Sequence, residues 1–155
     1  CDALNLWWSY APGVAQGKNT DHWIRTISRT ICRDGVLIMN IGPRGDGSLD
    51  PEHVAIFEQT GEWVHANAEG IYGTRGGPVE PGEWGGATYT GSAVYLHVLN
   101  WQKEGLRISG LEQTVRSAKV LASGETVVFS QDSSGLLVQQ PVSPHEVVTV
   151  VKLEV

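Results

Sequence analysis

Residues 35–51 read GVLIMNIGPRGDGSLDP, and this stretch decides how the amino-terminal half of the chain is expected to fold. The apolar run VLIMNI, residues 36–41, has the length of one strand and is bounded by a glycine at each end. Such a run predicts a strand buried on both faces, as in a parallel sheet covered by helices. The glycine-rich loop after it leads to Asp50 and Pro51, a favourable N-cap and a favourable first helical residue.

A helix is predicted on each side of this strand. Asn19 or Thr20 can cap the first helix, and Asp34-Gly35 would end it. Its apolar residues fall on one face and are Trp23, Ile24, Ile27 and Ile31. The second helix begins after Asp50 and ends between residues 67 and 70. Its predicted buried stripe consists of Val54, Phe57, Gly61 and Val64, with Trp63 at its border.

The order helix, strand, loop, helix is one unit of an α/β sheet. One strand cannot make a sheet, so residues 1–75 predict a larger domain whose other strands lie elsewhere. Residues 73–86 hold six glycines and two prolines, and we place an inter-domain linker at residues 76–86.

Residues 87–155 predict a small antiparallel β-sandwich, because short strands with turns between them follow one another closely. The predicted strands lie within residues 93–101, 106–108, 115–123, 126–130, 136–140 and 147–155. In the last of these, alternation predicts a change from burial on both faces to exposure on one.

Composition excludes several function classes. The chain has 155 residues, a net charge of -6 and only 11 Lys and Arg, which argues against nucleic acid as a partner. No apolar run approaches the roughly 20 residues of a membrane helix. The two cysteines, Cys1 and Cys32, form neither a zinc spacing nor a disulfide framework, and Cys32 is interpreted as a small buried apolar residue.

The chain begins with Cys1 rather than Met, which allows two interpretations. A mature lipoprotein would also begin with cysteine. The apolar opening segment favours truncation instead, because free chain ends are usually polar. That segment contains Leu4, Leu6, Trp7, Trp8 and Tyr10.

Four elements, in order, resemble the α-L-fucosidases, the retaining glycoside hydrolases of family 29. The first is Trp8-Ser9-Tyr10, which is similar to a Trp-Gly-Tyr element of the family, and the second is Leu37 to Pro43 with Asp46-Gly47, which is similar to the last barrel strand and its loop. The third is Trp63 followed by Asn67 to Arg75. The fourth is the tail, which contains VYLHVLNW and TVVKLEV. The sequence departs from the family pattern at Ser9 and in the exchanged Ala68 and Gly70. The resemblance implies the last part of a (β/α) barrel followed by the sandwich.

The resemblance implies little about catalytic residues, because it covers only the last part of the family's sequence. Retaining glycosidases use two carboxyl groups about 5 Å apart. In the family both precede the matched stretch, so no catalytic residue is assigned to this chain, and no cofactor or metal is expected. Asp46 and Glu52 are interpreted as a turn residue and a first-turn helix residue.

The residues predicted to bind substrate lie at the rim of the site, since barrel enzymes build their sites at the carboxyl ends of strands. They are Trp7, Trp8, Tyr10 and Asn40. Aromatic faces suit the apolar face of a deoxy sugar. The alternatives are hydrophobic packing for the aromatic residues and a hydrogen bond to loop backbone for Asn40.

The implied partners are a fucosylated glycan and the missing amino-terminal barrel portion, and a homo-oligomer is left open. The resemblance favours a secreted or periplasmic protein. Two other hypotheses compete for residues 87–155: a stand-alone carbohydrate-binding module, or a structural sandwich that braces the barrel. An exposed row of aromatic residues would favour binding and a buried row bracing. The row consists of Trp84, Tyr89, Tyr95 and Trp101.

Overall fold

The computed structural model describes residues 1–4, 7–12 and 17–155; Leu6, one of the apolar opening residues, lies outside them. The described part contains two helices, α1 (Thr20–Ile31) and α2 (Pro51–Ala66), and a short 3-10 turn at Ala68–Gly70. The strands are β1 Asp2–Ala3, β2 Met39–Asn40, β3 Arg75–Gly76, β4 Gly85–Tyr89, β5 Ala93–Val98, β6 Leu106–Ile108, β7 Ser117–Val120, β8 Phe129–Asp132, β9 Gly135–Val138 and β10 Thr149–Glu154. Among the described residues, no helix has the length and apolar character needed to cross a membrane.

Two antiparallel sheets form the sandwich, as predicted. One has five strands in the order β3-β4-β5-β10-β7, and the other has three in the order β6-β9-β8. Alternate residues of β5 and β10, such as Leu96 and Val151, fill the core between the sheets. The residues between them, such as Tyr95 and Val150, pack instead against the helices. Both faces of the central strands are therefore buried.

The last strand changes in exposure as predicted. Its first three residues, Thr149 to Val151, are buried, whereas Lys152 is half-buried and Glu154 is exposed. Strand β4 was not predicted, and β3 and β4 place Gly76 and Gly85-Gly86 of the predicted linker in the five-stranded sheet.

Both helices begin where their caps were predicted. The side chain of Asn19 accepts a hydrogen bond from the N–H of His22, and Asp50 precedes α2 with Pro51 as its first residue. Residue Cys32, at the end of α1, is buried as predicted, and burial raises the pKa of its thiol to about 12.

The predicted buried stripe of α2 is wrong by one residue. The buried residues are His53, Ile56, Thr60 and Trp63, whereas Val54, Phe57 and Val64 are half-buried and Gly61 is exposed. The reason is that α2 turns its Trp63 edge to the sheet, where the indole N–H donates to the carbonyl of Val148 at 3.2 Å.

The apolar run at residues 36–41 also differs from its prediction. Only Met39–Asn40 forms a strand, and its partner is the short parallel strand β1. Leu37, Met39 and Ile41 pack towards the helices, but Val36 is 86% exposed and Ile38 is 62% exposed. Burial on both faces is therefore not found, because the described residues cover this strand on one side only.

Candidate functional site

The candidate site lies where β1 and β2 end. The N–H of Asp2 donates to the carbonyl of Ile38, and the N–H of Leu4 donates to the carbonyl of Asn40, both at 2.9 Å. Because the two strands are parallel, the segments that follow them leave the sheet at the same side. We call these segments, Trp7–Tyr10 and Asn40–Gly47, the carboxyl edge.

A side-chain hydrogen bond joins the two segments of the carboxyl edge. The Asn40 amide nitrogen donates to the Trp8 carbonyl oxygen at 2.8 Å, across 32 residues of sequence. The Asn40 amide is therefore hydrogen-bonded to loop backbone, which was the alternative to substrate binding.

The backbones of the two segments are also in close contact at Gly42. A Cβ added to this glycine would lie 2.5 Å from the backbone nitrogen of Tyr10 and 2.6 Å from the carbonyl carbon of Ser9. Contacts this short are not tolerated, so only glycine fits the observed approach.

Arg44 provides a third connection. Its guanidinium carbon lies 6.0 Å from the centre of the Tyr10 ring, in cation–π range. It also forms an ion pair with Asp50, the residue before α2. This hydrogen bond with Asp50 is the main cause that raises the pKa of Arg44, and the loop is thereby tied to the start of the helix.

The aromatic residues at this edge differ in exposure. Trp7 and Trp8 are 59% and 62% exposed, whereas Tyr10 is half-buried. Exposed indoles next to a fixed main chain offer flat apolar faces of the kind that bind sugars. Asp46, by contrast, accepts hydrogen bonds from the N–H and hydroxyl of Ser48, as expected of a turn residue.

The structure thus brings Trp7, Trp8, Tyr10 and Asn40 together at one edge, and their contact with substrate stays a prediction. Sequence reasoning missed Gly42 and Arg44. The loop GPRGDG is evident in the sequence, but a glycine needed for contact with a segment 32 residues earlier has no local signal.

The sandwich is joined to the helical half by buried polar contacts at a second place. The hydroxyl of Thr88 donates to the carbonyl of Gly70 at 2.7 Å, and Nε2 of His97 lies 3.2 Å from the same oxygen. Burial lowers the pKa of His97 to about 4, so the ring is neutral at neutral pH. Nearby, Glu69 binds both the hydroxyl of Tyr95 and the ammonium of Lys152.

A groove of about 510 Å³ lies beside β2, between α1, α2 and the turn after α2. Its lining is mostly apolar and includes Ile27, Ile31, Leu37, Phe57, Val64 and Tyr72. Three residues of the predicted stripe of α2, Phe57, Gly61 and Val64, therefore border this groove. In the part of the chain that the structure describes, no three His, Cys, Asp or Glu side chains are grouped as metal ligands would be.

Comparisons with known proteins agree on one group of enzymes. A sequence model described as alpha-L-fucosidase matches residues 1–69. The chain is 28% identical to an alpha-L-fucosidase of Branchiostoma floridae over 83% of its length and 30% of that protein. It is 27% identical to human tissue alpha-L-fucosidase over 91% of its length and 32% of that protein.

Solved structures agree as well. Alpha-L-fucosidase isoenzyme 1 from Paenibacillus thiaminolyticus matches with a TM-score of 0.89 and 26% identity, over 98% of this chain and 38% of that one. A family 29 alpha-L-fucosidase from Bacteroides thetaiotaomicron has the same fold, with a TM-score of 0.87 at 23% identity.

The two helices and the antiparallel sheets of this chain are thus matched, over nearly its whole length, in solved alpha-L-fucosidases. The chain spans about a third of the length of the curated relatives that it matches. In sequence and in fold, it is similar to the carboxy-terminal portion of alpha-L-fucosidases.

Proposed function

We propose that this chain is the carboxy-terminal portion of a retaining exo-glycosidase that removes terminal α-L-fucose from glycans. The carboxyl edge is the observation that carries the proposal. Within it, the exposed Trp7 and Trp8 follow β1, and Trp8 is hydrogen-bonded to Asn40 at the end of β2. Barrel enzymes bind substrate at this end of their strands. The chain supplies one wall of the site, and the catalytic carboxyl groups come from the preceding portion.

A retaining mechanism is part of the proposal. Such enzymes form a covalent glycosyl-enzyme between two carboxyl groups about 5 Å apart. The Bacteroides thetaiotaomicron relative is described as a trapped covalent intermediate in complex with 2-fluoro-fucosyl fluoride. The aspartates of the carboxyl edge and its helix are otherwise engaged, since Asp46 binds Ser48 and Asp50 binds Arg44. We therefore assign them no part in bond cleavage.

We propose the barrel because β2 has no cover on one face in the described part of the chain. Val36 and Ile38, which precede β2, are apolar and exposed, and Val36 also lines the apolar groove beside the strand. Large exposed apolar patches mark surfaces that bind a partner. We infer that the partner is the amino-terminal portion of the same protein, adding strands beside β2 and a helix over the groove.

Residues 87–155 are proposed to brace this barrel. Three of the four residues in the candidate aromatic row are covered: Tyr95 is buried, and Trp84 and Trp101 are half-buried. Only Tyr89 is exposed among them, at 40%. Because this aromatic row is mostly covered, a structural role that braces the barrel is favoured over a stand-alone carbohydrate-binding module. The division into residues 1–75, 76–86 and 87–155 stays part of this proposal.

The test compares the isolated 155-residue chain with the intact protein, each first characterised by its mass under denaturing conditions. Both are assayed with nitrophenyl α-L-fucoside, and the anomer released first is identified by proton NMR. We expect activity with release of α-L-fucose from the intact protein and no activity from the isolated chain. Turnover by the isolated chain would overturn the assignment of the carboxyl groups, and early release of the β anomer would overturn retention.

A further inference from the structure

We propose that Asn40 is a positioning residue, which fixes the main chain of Trp8 so that the indoles of Trp7 and Trp8 are held ready for the sugar. This inference rests on the proposed function, since it names how the same site is organised. It assigns Asn40 a role exerted through another residue rather than through contact with substrate.

The hydrogen bond supplies the first argument. The amide of Asn40 donates to the Trp8 carbonyl at 2.8 Å, and the carbonyl of Asn40 accepts from Leu4 at 2.9 Å. Asn40, at the end of β2, is therefore hydrogen-bonded to the opposite segment at two places, Leu4 and Trp8. A side chain engaged in this way fixes where the Trp8 main chain lies.

The second argument is that the attachment continues along the loop. Gly42 contacts the backbone of Ser9 and Tyr10 with no room for a Cβ, and Arg44 lies over the Tyr10 ring while paired with Asp50. The segment is thus held at Trp8, at Ser9-Tyr10 and at the Tyr10 ring. A main chain held at successive points has little freedom left to lose when a ligand binds.

The third argument is the contrast between fixed backbone and exposed side chains. Trp7 and Trp8 are each more than half exposed although the main chain beside them is held. An organised apolar wall binds the ground state and the transition state of a sugar about equally, so it contributes uniform binding. Removing the organising bond should therefore raise KM and leave kcat nearly unchanged.

The experiment uses the intact protein with the substitution Asn40→Asp. The new side chain has the same shape, but its carboxylate cannot donate to the Trp8 carbonyl. Asn100→Asp is the matched control, because the Asn100 amide also donates to a backbone carbonyl, that of Glu83, in the sandwich. Kinetics are measured with nitrophenyl α-L-fucoside.

We expect Asn40→Asp to raise KM about tenfold, the size typical of one lost hydrogen bond, with kcat within about twofold of wild type. Asn100→Asp should change neither. A fall in kcat at unchanged KM would overturn the proposal, because it would mean that Asn40 acts on the reacting substrate. Unchanged kinetics would overturn it as well.

A second readout does not depend on activity. The protein has six tryptophans, and 5-fluorotryptophan gives each a 19F resonance that Trp7→Phe and Trp8→Phe assign. In Asn40→Asp we expect the Trp7 and Trp8 resonances to shift and broaden, while those of the buried Trp23 and Trp63 stay sharp. Unchanged Trp7 and Trp8 resonances would overturn the positioning role even if KM rises.

The two readouts also separate the two proposals. An intact wild-type protein without fucosidase activity would refute the proposed function, whereas the 19F spectra would still decide whether Asn40 positions the tryptophans. If Asn40→Asp also broadens the Trp23 and Trp63 resonances, the milder Asn40→Ser replaces it. General broadening in that variant too would assign Asn40 to folding and would overturn the proposal.

Discussion

The guanidinium of Arg75 binds the carboxylate of Asp34 through both of its oxygens, although the two residues are 41 positions apart. The distance from Nε to Oδ1 is 2.7 Å, and the N–H of Gly76 donates to the same oxygen at 3.1 Å. Asp34 has a φ of 60° and follows the end of α1, while Arg75-Gly76 forms the edge strand β3. The pair therefore connects the helical half to the first strand of the five-stranded sheet.

Replacing Asp34 by asparagine should lower the melting temperature slightly, by a few degrees at most, because both side chains are largely exposed. Asparagine tolerates the positive φ, so the change isolates the charge. The Arg75 pair lowers the pKa of Asp34 to about 2. The stabilisation is therefore present above the ordinary pKa of about 4 and is lost as the pH falls towards 2. Thermal unfolding of wild type and Asp34→Asn across this range measures it.

The control in the same unfolding series is Glu58→Gln. Glu58 is an exposed acidic residue of α2 that makes no ion pair among the described residues. This control should match wild type throughout. A difference between wild type and Asp34→Asn that persists at pH 2 would contradict the assignment to charge.

Protonation of His97 should destabilise the fold in mild acid. Its pKa is lowered to about 4 by burial, so the stabilisation is complete above pH 6.5 and is lost as the pH falls from 6.5 to about 4. At most about 3 kcal/mol of unfolding free energy is involved. Urea unfolding at several pH values would show it. His97→Gln keeps a donor for the Gly70 carbonyl but does not titrate, so its stability should depend less on pH in this window. The surface variant His65→Gln should behave like wild type.

Trp63 should be the tryptophan on which stability depends most at the helix–sheet contact. It is 5% exposed and donates to the Val148 carbonyl. We expect Trp63→Phe to cost about 1–2 kcal/mol, mainly from the lost hydrogen bond, and Trp63→Ala about 3–5 kcal/mol. Trp7→Ala, at an exposed position, should change the unfolding free energy of the chain by less than about 0.5 kcal/mol. Equal costs at the two positions would refute the packing described for α2.

The two thiols should react at very different rates. Cys1 is exposed and Cys32 is buried, and the raised pKa of Cys32 leaves it protonated at neutral pH. Titration of the native chain with a coloured disulfide reagent should therefore detect one fast thiol, and addition of denaturant should reveal the second. In Cys1→Ser the fast phase should disappear. A fast phase that survives this substitution would place Cys32 at the surface.

Local signals predicted the helices well, and tertiary contacts explain the differences. Asn19 and Asp50 act at their own helix ends, so sequence alone located both starts. The buried face of α2 was misplaced because two of its buried residues, His53 and Thr60, are polar and add nothing to an apolar periodicity.

The missed strand β4 has a similar origin. Its first residues are glycines and were interpreted as linker, but glycine is needed there because a Cβ at Gly85 would lie 1.9 Å from the carbonyl oxygen of His97. At the candidate site, the sequence predicted which aromatic residues gather. It could not predict the bond from Asn40 to Trp8, which depends on a two-residue strand, β1, too short to leave a pattern.

The exposed apolar residues before β2 have a consequence for any cell that produces this chain by itself. Val36 and Ile38 expose most of their surface next to β2, which pairs only with β1 in the part of the chain that the structure describes. Chaperones and quality-control proteases bind extended apolar segments of this kind, and identical copies can stack along them. The chain produced by itself should accumulate in inclusion bodies, and co-production of the proposed amino-terminal portion should bring it into the supernatant.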